Sequence, residues 1–427
     1  MRTSPSSSPY RPLLAGAALA AGLLALAARS SALLAVALGL SFFVVQAWWL
    51  ARRGLAGVGV RRRAPASAFE DDMVAVDLLV ENRSRHDARL VLITDSFGPG
   101  LADAQVVLEA GPLPPDRQRR LQYHTFCSRQ WGTYTLGPLW VGGWDPMGLH
   151  HARRKVGQVE PIALYPRVHE VPALAPGAGR PGLAPEEKSA ARAGQSSLYL
   201  GVRDYQPGDD VRSIHWPAMA RRAAPMMRER EVDLVPAFTL FLDLHREGRA
   251  GVGTKSTLEY VVRVGASLLW TALRRGQSLQ AVGEGSAPLL LPRGQGDGHL
   301  SQALHELIHV KQDGDVRLAD VVARFRPHLP AGSTAVLVGV TTSVDPDRLE
   351  EEIEALRVTA VEPLLILVDG DSFAPLDRLR PSPAEAVVHR QAFAGLLEAT
   401  GVGGAFLGSG DDLAEALARP DFLAGLA

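Results

Sequence analysis

His305-Glu306-Leu307-Ile308-His309 is the spacing in this chain that most directly suggests chemistry. On a helix, imidazoles four residues apart share a face and can hold zinc, with Glu306 as the base that activates a bound water. The reaction would be that of a zinc peptidase, and it needs a third ligand. The extended motif asks for glycine at 312 and histidine at 315, where the chain has Gln312 and Asp315, and no glutamate falls between residues 310 and 349. Leu300, Leu304, Leu307 and Ile308 form a core stripe that leaves both histidines on the polar side, so the expectation is a surface helix. A second nucleophile candidate, Cys127 near His124, fails on period. Residues three apart on a strand point to opposite faces, and Cys127 reads as a half-buried strand thiol.

The densest cluster of charge and turn residues lies between 201 and 231. Pro207-Gly208 makes a turn. Asp209 and Asp210 sit where they could cap a short helix or turn, and Arg203, Arg212, Arg221 and Arg228 surround them. Alternating arginines and carboxylates favour bidentate pairs. Two readings stand: a partly buried ion-pair network that docks the segment on its neighbour, or a surface that binds an anion or a protein partner. Asp209, Asp210 and His215 have no accompanying nucleophile or metal set, so no catalysis is expected of them.

Arg203, Tyr205, Gly208, Asp209, Arg212, Ile214, His215 and Trp216 occupy in full a pattern that resembles the signature of the domain-of-unknown-function 58 family, R-x-Y-x-x-G-D-x-x-R-x-I-H-W. Upstream, Trp144-Asp145-Pro146-Met147-Gly148-Leu149 resembles the family's "DPFGL", with methionine for phenylalanine. The order of parts is similar too: a membrane hairpin, a β module, this motif, then a von Willebrand factor A-like domain. The resemblance implies a partner role toward MoxR-type AAA+ ATPases, with a transglutaminase-like membrane protein as a further partner, and no established enzymatic activity. A von Willebrand A domain usually carries a Mg²⁺ site, Asp-x-Ser-x-Ser, after its first strand. Here that run is Asp243-Leu244-His245-Arg246-Glu247, and only the aspartate remains. Thr341, Thr342, Ser343 and Asp345 could supply oxygens from a later strand end. The degenerate site is expected to hold no Mg²⁺, with Asp243 pairing an arginine instead, and no cofactor is expected.

The elements that must carry these residues begin with two uncharged runs, Leu13 to Ala28 and Ser31 to Leu50. Twenty helical residues at about 1.5 Å each span about 30 Å, the thickness of the hydrocarbon layer. Trp48 and Trp49 close the second run at the level of an interfacial aromatic belt. Arg2 and Arg11 precede the pair, Arg52, Arg53, Arg61, Arg62 and Arg63 follow it, and only Arg29 lies between. The positive-inside rule therefore places both termini in the cytoplasm, as a two-pass hairpin over residues 1–62. A cleaved signal peptide followed by one anchor is the alternative, but no convincing cleavage box separates the runs. Residues 63–172 read as short alternating strands with regular breaks, a small β-sandwich-like module. Residues 173–198 read as a linker, 199–235 as the signature segment, and 236–427 as an α/β domain whose largely parallel sheet is covered on both faces. Ligands of such sheets bind beyond the C-terminal strand ends.

Composition narrows the classes. The 427 residues carry 45 Lys+Arg against 46 Asp+Glu, a net charge of −1, without the basic excess of a nucleic-acid protein. One cysteine excludes an intrachain disulfide framework and a cysteine-based zinc site. Only Lys155, Lys188, Lys255 and Lys311 are lysines, an arginine-rich composition that looks like a GC-rich bacterial genome; with the hairpin, the expected location is the bacterial inner (plasma) membrane. The resulting expectation is a multi-domain, membrane-anchored cytoplasmic scaffold or adaptor, not an enzyme. It would bind a MoxR-type ATPase or its client in the assembly or maturation of a membrane or envelope complex. The alternative is a membrane-bound hydrolase using residues 305–309.

Overall fold

The computed structural model describes residues 10–101, 104–171, 199–204, 226–230, 237–373 and 383–418. The chain divides into two compact units, Met1–Arg167 and Val168–Ala427.

In the first unit the uncharged runs form helix α1 (Tyr10–Ala28) and helix α2 (Ser31–Leu55). The turn between them puts Arg29 at φ 45°, and the Ser30 hydroxyl accepts from the Leu33 amide at 3.4 Å. Small residues are turned inward: Ala18, Ala25, Ala37 and Ala47 are buried, and a Cβ at Gly22 would sit 3.9 Å from that of Ala37. Such a seam of small residues lets two apolar helices approach closely. Leu19, Leu23, Leu26, Val36 and Phe42 are exposed on the outer faces. Helix α2 is long and apolar enough to cross a bilayer, and the apolar stretch of α1, Pro12–Ala28, is shorter. At the end of α2, Arg52 lies over Trp48 (4.2 Å) and Arg53 over Trp49 (4.4 Å).

The β module follows as β1 (Val58–Arg63), β2 (Ser67–Phe69), β3 (Met73–Asn82), β4 (Ala88–Ser96), β5 (Gln105–Leu113), β6 (Gln118–Phe126), β7 (Gly132–Leu136), β8 (Leu139–Trp144), β9 (His151–Val156) and β10 (Glu160–Tyr165). They pair as three sheets, β1-β3-β6, β2-β10-β7 and β5-β4-β8-β9, around one shared core. Period-two alternation places Val74, Val76, Leu78 and Val80 of β3 in that core, each burial stabilising by roughly 1.5–3 kcal/mol. Two local sequence signals are overridden by the fold. Gly111-Pro112-Leu113 stays within β5, because Gly111 takes φ +64° and the register against β4 shifts there as a bulge. The run from Tyr134 to Val141 is two strands, split at Gly137-Pro138, where proline has no amide to continue a ladder.

Arg62 is not the solvated flanking charge that the run Arg61-Arg62-Arg63 suggests. It lies in β1 with its side chain fully buried, paired to Asp95 of β4 at 2.9 Å. Its other nitrogens donate to the Leu136 carbonyl of β7 (3.0 Å) and to Glu160 of β10 (3.3 Å), and Tyr123 of β6 donates to Asp95 at 2.7 Å. One guanidinium thus clasps all three sheets.

In the second unit, β11 (Tyr199–Asp204) and β12 (Met226–Arg230) form an antiparallel ribbon. The main sheet contains β13 (Ala237–Leu242), β16 (Ser278–Gly283), β17 (Leu289–Gly294), β18 (Thr334–Val340), β19 (Glu362–Val368) and β20 (Gly403–Leu407), in the order β17-β16-β13-β18-β19-β20. All neighbours are parallel except the β16–β17 pair. A two-residue pair, β14 (Gly251–Val252) with β15 (Lys255–Ser256), precedes helix α3 (Thr257–Arg274). Helices α4 (Gly296–Leu307), α5 (Leu318–Phe325), α6 (Pro346–Val358), α7 (Pro383–Thr400) and α8 (Leu413–Ala418) complete the unit. Phe241, Leu337, Leu365 and Leu367 pack with Val322 of α5, Ile353 of α6 and Leu397 of α7 on one face of the sheet. On the other face α3 approaches so closely at Gly265 that a Cβ there would stand 3.1 Å from Leu242.

Candidate functional site at the switch point of the sheet

The chain passes from β13 to β16 and β17 on one side, then returns to β18 and continues through β19 to β20 on the other. The order therefore reverses between β13 and β18, and the crevice beyond their C-terminal ends is where a sheet of this type ordinarily takes a ligand. Asp243 follows β13 there, and Ser343 lies just past β18. Asp243 is wholly buried. One carboxylate oxygen accepts from the His245 amide at 3.0 Å, and the other from the Val340 amide at 3.1 Å and the Ser343 hydroxyl at 2.5 Å. Its partners are a hydroxyl and two amides, not the arginine expected from sequence. Burial pushes the carboxyl above its usual range, against the hydrogen bond from Ser343 and those from the two amides, which act the other way.

The loop after Asp243 seals the crevice. Gly248 is required, since a Cβ would meet Gln312 Nε2 and Ser343 Oγ at 2.7 Å each. The Thr257 hydroxyl donates to the Gly248 carbonyl at 2.8 Å and accepts from the Ala250 amide at 3.0 Å. Gln312 is buried with its Oε1 3.1 Å from the same hydroxyl, and its amide nitrogen has no partner. Thr341 accepts from the Gly370 amide at 3.0 Å, and Thr342 donates to the Glu247 carbonyl at 3.1 Å. Asp345 caps α6 by accepting from the Asp347 amide. Asp243, Thr341, Thr342, Ser343 and Asp345 each make at least one hydrogen bond within the protein. Outside the seal lies a band of opposed charge: Arg317 bridges Glu247 (2.6 Å) and the Ser343 carbonyl (2.8 Å), and Arg246 pairs with Asp315.

The other sequence candidates fall apart from this crevice. Helix α4 ends at Leu307, so His309 lies beyond it, although its ring stands 5.2 Å from that of His305. Leu300, Leu304, Leu307 and Ile308 are buried, and both histidines are exposed. Among the described residues no three His, Cys, Asp or Glu come together as metal ligands. Cys127 is buried and His124 exposed, and burial raises the thiol to about 11. Of the signature residues, Arg203 lies in β11, whose backbone register sets it opposite Met227. Tyr205, Gly208, Asp209, Asp210, Arg212, Ile214, His215 and Trp216 lie outside the described residues, as does the linker region 173–198. One acidic pair escaped the sequence reading. Asp369 and Asp371, at the end of β19, are buried and paired with Arg390 and His389 of α7, the latter at 2.9 Å. The available signal was Asp-Gly-Asp directly after an unbroken apolar strand run.

Residues 201–345 match the family described as "Protein of unknown function DUF58". The matched segment runs from β11 to the cap of α6 and includes Asp243, Gln312 and Ser343. An uncharacterized protein, YeaD of Bacillus subtilis (strain 168), is 31% identical over 170 residues, covering 39% of this chain. The chain spans 40% of the length of that curated relative. Among solved structures, the CARDB domain of the PF1109 protein from Pyrococcus furiosus is similar at 11% identity, over 25% of this chain and 91% of that one, with a TM-score of 0.18. A fragment of alpha-2-macroglobulin from Escherichia coli is similar at 15% identity, over 28% of this chain and 20% of that one, with a TM-score of 0.20. Scores this low bear on neither fold assignment nor function.

Proposed function

We propose that this chain is a membrane-anchored, cytoplasmic-facing adaptor whose von Willebrand A-like unit binds a protein partner, a MoxR-type AAA+ ATPase or its client, in the assembly or maturation of a membrane or envelope complex. The observation that carries the reading is the saturation of Asp243. At the position where a sheet of this order takes small ligands, the chain's own hydroxyl, amides and glycine occupy the space, and the outward surface is a band of paired charges. Charged surfaces of that kind steer and orient protein partners more than they add raw affinity. The exposed apolar faces of α1 and α2 support the anchor, and the arginines after α2 support cytoplasmic termini.

The test is a membrane pull-down of the tagged full chain with and without ATP, comparing wild type with Arg212→Ala at matched protein level. A AAA+ partner captured by wild type and lost from the folded variant supports the adaptor and makes the signature its docking surface. Absence of any such partner from wild type overturns the proposal, and retention by the variant reassigns the signature to an internal ion-pair network. Zinc measured in the same sample tests the hydrolase alternative: a stoichiometric ion lost in His305→Ala would replace the adaptor reading.

A further inference from the structure

The Asp145-Pro146-Met147-Gly148-Leu149 motif has no part in the switch-point site. It forms the turn between β8 and β9, and the turn is rigidly built. The Asp145 carboxylate, itself buried, accepts from the Met147 amide at 2.9 Å and the His150 amide at 2.6 Å. The Gly148 amide donates to the Asp145 carbonyl at 3.0 Å, with Gly148 at φ +68°, and the Asp145 amide donates to the His150 carbonyl at 3.1 Å. This scaffolding holds Met147 outward, 67% exposed, while Leu149 is turned in at 9%. Leu149 and His150 line a small crevice with Leu14 of α1 and Val44 and Ala47 of α2. Along α2, Ala47 and Val44 lie five and eight residues before Arg52, about 8–12 Å toward the apolar side at about 1.5 Å per residue. The turn is therefore level with the last apolar turns of the helix pair and with Trp48 and Trp49, not with the arginines beyond them. Exposed Arg153 and Lys155 of β9 follow directly, at the level suited to phospholipid headgroups.

We infer that the β8–β9 turn is a membrane-inserted wedge: Met147 enters the boundary between headgroups and acyl chains of the same bilayer that α1 and α2 cross. The inference rests on the membrane-anchor reading above. The occupant is lipid because the turn is seated, through Leu149 and His150, against Leu14, Val44 and Ala47 of the two apolar helices, and Met147 is the exposed apolar side chain it presents there. A fixed hydrogen-bonded turn presents that side chain without an ordering cost on insertion. Asparagine or serine at this position would suit a solvated turn, and methionine does not.

The experiment places an environment-sensitive thiol label on the full chain in phospholipid nanodiscs at three single sites, Met147→Cys, Phe42→Cys and Val159→Cys, in a Cys127→Ser background. Phe42 is exposed on α2, and Val159 is exposed on the β9–β10 connection. The expected result is blue-shifted emission quenched by brominated lipid at 147 and 42, and red-shifted emission quenched by aqueous iodide at 159. Label 42 in lipid with label 147 in water overturns the wedge and leaves the anchor standing. Label 42 in water overturns the anchor itself. Label 147 shielded from both quenchers shows a protein partner on the turn and also overturns the wedge. A fourth variant, Leu149→Cys, checks that the turn keeps its inward residue and reads as unreactive when the module is folded.

Discussion

Asp243 concentrates the largest single-residue effect in the second unit, because three donors converge on one buried carboxylate. Asp243→Ala leaves all three unmatched and is expected to lower unfolding stability by about 3–5 kcal/mol, against about 1–2 kcal/mol for Ser343→Ala, read from denaturant midpoints. The pH dependence has a definite sign. The folded carboxyl titrates above its ordinary 3.8, so the folded state holds the proton more tightly than the unfolded chain. The contribution of Asp243 is fully present below 3.8 and is lost as pH rises through the folded value. The wild type should therefore show a falling component of stability above pH 4 that Asp243→Asn lacks, seen as a flatter profile of midpoint against pH. Cys127 makes a second residue-level prediction. With its thiol at about 11 and no exposed surface, alkylation at pH 8 should be at least about 100-fold slower in the folded protein than in denaturant, since the thiolate is the reacting species.

At the scale of elements, the clasp at Arg62 explains why three small sheets share one core. Arg62→Ala strands Asp95 without its cation and is expected to cost about 3–5 kcal/mol, whereas the double change Arg62→Met with Asp95→Leu should recover much of that loss. Thermal melts of the two variants distinguish a buried-charge penalty from simple loss of packing. Sequence patterning carried much of the element list. Period-two alternation marked β3 and β6, and uninterrupted apolar runs marked β13, β18 and β19, because burial on both faces leaves no polar alternation to confuse the reading. It missed what depends on distant partners. Arg62 looks like a flanking charge until β4, β7 and β10 surround it. The basic strand β9, His151-Ala152-Arg153-Arg154-Lys155-Val156, has only Ala152 and Val156 to signal an inner face. The apolar stripe of α4 continues into Ile308 and Val310, yet the helix ends at Leu307 and these two are buried in the loop beyond it. Asp243 was identified by its position after a strand, but its saturation by Ser343 depends on a contact 100 residues away, which no local pattern encodes.

For the whole molecule, each of the two units encloses its own core, so stability is expected to be separable. Trypsin should cleave first between residues 173 and 198, at Lys188 or Arg192 (Arg180 precedes Pro181 and is resistant), where the composition is that of a linker. The measurement is limited proteolysis of the chain in liposomes, with the second unit outside, followed by sedimentation. The C-terminal fragment should appear in the supernatant with a cooperative melt of its own, and the N-terminal fragment should remain with lipid. A non-cooperative C-terminal fragment would show that the second unit depends on the first. The strand order has a further consequence, one of timing. β13 is a central strand, buried along its length, and its neighbour β18 is translated about 100 residues after it. At roughly 5–20 residues per second, the growing chain carries the bare edge of β13 for about 5–20 s. Through that interval the nascent half-sheet of β13, β16 and β17 leaves an apolar strand without its second neighbour. Until β18 is made, that unpaired edge is the part of the unit most open to wrong pairing, however stable the finished sheet becomes.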